Sequence, residues 1–132
     1  MPMRRWWLVL GAAGFLVGHA WPRQEPDRHW IARNGVDWRG MGNQARTAYV
    51  EGFLAGSAFG QAAEKASDST GLHEAIARLR RTGGFHFPFG PNVYASRISD
   101  YYWWENHRSL PTWYAFWEVN AILTAPTRDS AR

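Results

Sequence analysis

Glu105 and Asn120 are the polar side chains that fall on otherwise aromatic helical faces, Glu105 with Tyr94, Ile98, Tyr101 and Tyr102, and Asn120 with Leu110, Trp113, Phe116 and Trp117. A carboxylate in such surroundings needs a cation or hydrogen-bond donors, and Arg97, Arg108 or a tyrosine hydroxyl is expected to supply them. Two chemistries fit. One is a satisfied polar network that holds helix register; the other is a general acid or base at Glu105, with Asn120 orienting a substrate. The second needs another carboxylate nearby, and Glu51 and Asp100 are the candidates.

The remaining reactive types argue mostly by their spacing. His73, His86 and His107 could join Glu105 around a metal, but Glu105 and His107 are two apart and so lie on different sides of a helix. There is no HExxH and no cysteine, so no metal is expected. GGFHFPFG matches neither a dinucleotide fingerprint nor a P-loop, and Ser57 in GSAFG is not a nucleophile elbow. The expectation is no cofactor and, more simply, no enzyme.

Composition narrows the classes further. The 132 residues are 45% hydrophobic, enough for one domain with a core, and 16% aromatic, which suits large packed rings or a surface that grips a partner. Setting aside Arg4 and Arg5 leaves 13 basic against 11 acidic side chains. That balance is too even for nucleic-acid binding. With no cysteine there is no disulfide and no thiolate chemistry.

The chain begins with two arginines, an apolar run from Trp6 to Gly18 and the small-x-small triplet Gly18-His19-Ala20. This layout predicts a signal peptide over residues 1–20, with an uncleaved anchor as the alternative, its arginines on the cytoplasmic side. Residues 21–34 read as a linker and 125–132 as a flexible tail. Between them, residues 35–124 read as a mainly α domain, a compact bundle of about four helices. The spans are about Asn43 to Ala66, Leu72 to Thr82, Val93 to Asn106 and Leu110 to Thr124, with Gly83-Gly84 closing the second. Asn34-Gly35 is expected as a turn, and Phe85 to Asn92 as an aromatic loop or edge strand.

In the first long helix Gly52, Gly56 and Gly60 stand four apart, on a stripe with Ala45, Tyr49 and Ala63. Arg46, Thr47, Ser57 and Gln61 lie opposite. Each glycine costs about 0.8 to 1 kcal/mol against alanine. The stripe is therefore expected to be a groove within the bundle, filled by a neighbouring helix or its rings. Trp103, opposite the aromatic face of the third helix, is expected to be exposed.

GVDWRGM, QARTAYVEGFLAG and the segment from Tyr94 to Leu123 together resemble a loose group of small exported bacterial helical proteins of unassigned function. The resemblance rests on Trp38, Tyr49, Gly52, Gly56, Tyr102, Asn106 and Pro111. More remotely the chain is similar to the Rap1a/Tai immunity proteins, which neutralise toxins in the periplasm. Those typically carry a disulfide, which this chain cannot form. The resemblance implies a helical fold and an extracytoplasmic location, periplasmic, secreted or anchored facing the periplasm. The expected function is a non-catalytic interaction module that binds a protein partner through Trp103, Phe87, Phe89, Asn120 and Arg97. Two alternatives are glycan or cell-wall binding through stacked rings and a small hydrolase using Glu105.

Overall fold

In the computed structural model, the residues described are 29–126. The segment expected as signal peptide or anchor lies outside them, as do most of the expected linker and tail. After a 3-10 turn at His29–Ala32 come α1 (Gly35–Gly40), α2 (Asn43–Ala63), α3 (Ser69–Thr82), α4 (Pro91–Tyr101), a 3-10 turn at Glu105–His107, and α5 (Thr112–Thr124). The domain is a helical bundle. Among the described residues there is no strand, only an isolated bridge between Asn34 and Pro111. None of these helices is long and apolar enough to cross a membrane.

The Asn34-Gly35 pair opens a helix instead of making a free turn. Asn34 Oδ1 accepts from the Val36 amide at 2.9 Å, and Asp37 Oδ2 accepts from the Asn34 amide at 3.0 Å, a reciprocal capping box. This end is stitched to the approach to α5. Gly35 N donates to Arg108 O at 2.9 Å, and the amide and hydroxyl of buried Thr112 both donate to Arg33 O. Arg33 and Asn34, expected in the linker, thus belong to the packed domain.

The long helix α2 is turned over relative to the sequence expectation. Val50, Gln61 and Ala62 are buried, and Arg46, Thr47, Ser57 and Leu54 are half-buried. Gly52, Gly56, Gly60, Ala45 and Ala63 face out. A Cβ built on any of the three glycines meets nothing within 4 Å. The filled groove at Gly52, Gly56 and Gly60 is therefore corrected to an open face. The physical reason lies in what the other side does. Gln61 Nε2 donates to Gly84 O at 2.7 Å while its Oε1 accepts from the His86 amide at 3.1 Å, so the amide crosses to the loop with both ends satisfied. Arg46 Nε donates to Trp38 O at 3.1 Å, and its guanidinium lies 5.7 Å from the Trp38 ring.

Asp68 caps α3 by accepting from the Gly71 amide, and Gly83 ends it at φ 68°, the left-handed conformation that glycine adopts without Cβ strain. Helix α4 stops at Tyr101, short of the expected Asn106. The carbonyls of Tyr102 and Trp103, which would continue it, accept instead from Arg39 of α1 at 2.8 to 3.0 Å.

The core is Trp38, Val50, Tyr94, Ile98, Tyr102, Ala115, Phe116 and Val119. Phe53 stacks on Phe116 at 3.8 Å between centroids, and Phe87 meets both edge-on at 5.0 and 6.4 Å. The buried polar tips are answered too. Trp38 Nε1 donates to Ser99 Oγ, and the Tyr102 hydroxyl donates to Leu110 O. Burial pushes that hydroxyl's pKa up to about 12.

Candidate functional site

Glu105 does not sit on an aromatic face. It opens the 3-10 turn after α4, with its side chain 72% exposed, and forms ion pairs with Arg108 at 2.7 Å and Arg39 at 3.1 Å. Of the companions expected, Arg108 is present and Arg97 is not. Arg97 lies 3.6 Å from Asp100 on the surface of α4. The hydrogen bonds from Arg108 and Arg39 hold the Glu105 carboxyl below its ordinary range. A general acid needs the opposite shift, so the geometry here favours a clamp that ties α1 to the end of α4.

A carboxyl with a lowered folded pKa contributes stability that is fully present above its unfolded value and is lost as pH falls through the folded value. Glu105→Gln is therefore expected to melt below wild type above about pH 5, with the gap closing as the solution is acidified below the ordinary carboxylate range. Parallel thermal melts across that range check it; a gap that stayed constant down to strong acid would show that the ion pairs play no part.

Asn120 is half-buried in the network that the alternative reading describes. Its Oδ1 accepts from the Tyr94 hydroxyl at 2.6 Å, and its Nδ2 donates to His86 O at 2.9 Å, so it joins α4, α5 and the aromatic loop. Glu105 is not part of that network. Phe87 is partly buried and packs against the core, while Phe89 is partly exposed against Tyr94. Trp103 is 77% exposed, as expected, but it stands in the turn after α4 and not on a helical face.

Sequence periodicity did not resolve the other exposed rings. Trp104 is 63% exposed, Trp113 52% and Trp117 66%; on α5 only Phe116 of the expected Trp113–Phe116–Trp117 face is buried. That helix is apolar nearly all round, so periodicity does not select its inner side.

Trp103 and Trp104 each line one of two open clefts. The first cleft, about 740 Å³, is lined by Trp38, Arg39, Arg46, Asp100, Trp103 and Glu105. Its two arginines are already committed to backbone carbonyls and to Glu105. The second, about 770 Å³, lies between α4 and α5 and has Tyr101, Trp104, His107, Tyr114, Glu118 and Arg97 among its walls. His107 stacks on Tyr101 at 4.1 Å, and its Nδ1 contacts Tyr101 O at 2.8 Å. A carbonyl only accepts, so Nδ1 carries the proton.

Glu118 raises the pKa of its neighbour Tyr114 above the ordinary tyrosine value. Tyr101 is raised too, by burial first and then by Glu118 and Tyr114. None of Tyr114, Glu118 and His107 was singled out for this cleft from sequence. The i,i+4 spacing of Tyr114 and Glu118 on one helix face was the available signal.

Comparison of the chain with protein-family models, with curated proteins and with solved structures returned no match.

Proposed function

We propose that the protein is an exported, non-catalytic helical interaction module that binds a protein partner in the bacterial envelope, in the periplasm or outside it, or tethered to the inner membrane if residues 6–18 are retained. The observation that carries the reading is the exposure of Trp103, Trp104, Trp113 and Trp117, each more than half open to solvent on a domain whose core is otherwise well filled with rings. Tryptophan is among the residue types enriched at the energetic centres of protein interfaces, and large exposed apolar patches mark such surfaces. The signal-like N-terminus supports the location. The remote similarity to immunity proteins supports a role in neutralising another protein by binding it.

The test is capture from an envelope fraction by the tagged full chain, with Trp103→Ser and Trp117→Ser in parallel. The expected result is one stoichiometric partner held by wild type and reduced at least about tenfold by one of the two changes, the size of effect a hot-spot residue carries. No stoichiometric partner, or equal capture by both variants, overturns the reading.

A second reading is glycan or cell-wall binding, favoured by Trp103, whose ring stands free beside Asp100 and Glu105 at the edge of the first cleft. A free aromatic face with adjacent carboxylates offers stacking and hydrogen bonds to a sugar. Saturable quenching of tryptophan fluorescence by peptidoglycan fragments, abolished in Trp103→Ser, is the result it requires.

A further inference from the structure

Among the charged side chains around the two clefts, Glu118 stands apart. It is half-buried, it lines the cleft between α4 and α5, and it takes part in none of the ion pairs among the described residues. The one cation on the same walls, Arg97, is paired with Asp100. The cleft thus holds two carboxylates against one guanidinium, with a net negative charge.

Its other surfaces are rings and hydrogen-bond acceptors. Trp104 and Tyr114 contribute rings, Tyr101 contributes a ring with one face covered by His107, and the Tyr114 hydroxyl is engaged with Glu118. In neutral His107, with the proton on Nδ1, Nε2 is an acceptor with no partner among the described residues. At about 770 Å³ the cleft has the size of a small-molecule site. Ile122 and Leu123 supply apolar contact at one end.

We propose that this cleft binds an organic cation, an ammonium or guanidinium on an aliphatic stem, with Glu118 as its counter-charge and Trp104, Tyr101 and Tyr114 as its aromatic walls. A cation gains over the faces of Trp and Tyr through the ring quadrupole, and it supplies the counter-charge that Glu118, whose neighbour in the cleft is the Tyr114 hydroxyl, lacks. The stem lies on Ile122 and Leu123. An anion meets two carboxylates, and a neutral ligand leaves Glu118 without a counter-charge. The site does not depend on the protein-partner reading, since the same chemistry arrives either as a lysine or arginine side chain or as a free small amine.

The experiment is calorimetric titration of the full chain with three probes: Nα-acetyl-lysine methylamide, its neutral Nε-acetylated counterpart, and choline. The expected result is saturable one-to-one binding of at least one cationic probe, at least about fivefold tighter than the neutral one. Preference for the lysine amide identifies a side chain as the source, and preference for choline identifies a free quaternary amine. Glu118→Gln erases the charge preference, and Trp104→Leu weakens the cations by a similar factor. Equal binding of the neutral probe, or no saturable binding of either cation, overturns the proposal on wild type alone, whatever the variants do. A preference that survives Glu118→Gln in a folded protein also overturns it.

Discussion

Gly35→Ala is expected to lower the stability of the full chain by about 2 to 3 kcal/mol, the upper part of the range for forcing a methyl into a filled core. A Cβ at this position would lie 2.5 and 2.8 Å from two carbons of the Tyr102 ring and 3.0 Å from the Arg108 Cα. Neither neighbour is free to yield. Tyr102 is buried, its hydroxyl donates to Leu110 O, and its ring lies between Trp38 and Tyr101. The Arg108 backbone is tied to Gly35 itself by the 2.9 Å hydrogen bond. Alanine's better helix propensity returns at most about 1 kcal/mol, so the steric term wins. Thermal or urea melts of the variant should show the loss, about 10 °C in melting temperature for a domain of this size. An unchanged midpoint would mean that α1 does not press on Tyr102.

The opposite sign is expected at the three glycines of α2. Gly52→Ala, Gly56→Ala and Gly60→Ala together should stabilise the chain by about 2 to 3 kcal/mol, since each removes a helix-interior glycine cost of about 0.8 to 1 kcal/mol. Each added methyl enters open space. Part of the gain arises in the unfolded chain, which has less conformational freedom to lose. Nothing within the described domain offsets the glycines, so their presence has no explanation in its packing. The triple variant should melt about 10 °C higher. It should also keep any binding in the α4–α5 cleft, which α2 does not line. A fall in stability would show that the stripe is covered by something in the full chain.

These two changes separate glycines that look alike in sequence. Local pattern made the spaced trio conspicuous, while Gly35 read as an ordinary turn residue. Steric need is set by what lies opposite. Gly35 faces a ring 67 positions further along the chain, a distance no local window spans.

Other features were legible because their causes are local. The end of α3 at Gly83 follows from glycine's access to positive φ, whereas its start, expected at Leu72, lies at Ser69 behind the Asp68 cap. Trp103 is exposed as expected, but from the turn after α4 and not from a face of that helix. The helical class and the existence of the long helices follow from spacing and breakers in the same way.

What the sequence determined by itself, then, is the four longer helices, the glycine stop of α3 and the aromatic character of the later half. Short-range sterics and hydrogen bonds within a few residues decide these. Tertiary structure alone decided which face of α2 turns inward and which rings of α5 are buried. It also decided that Glu105 is a clamp between arginines while Glu118 lines a cleft with no ion pair among the described residues. The physical reason is that small residues and rings on both sides of a helix make its two faces nearly equal in apolar character. The choice then falls to contacts such as Gln61 with Gly84 and His86, or Arg39 with Tyr102 and Trp103, whose partners lie 23 to 64 residues away.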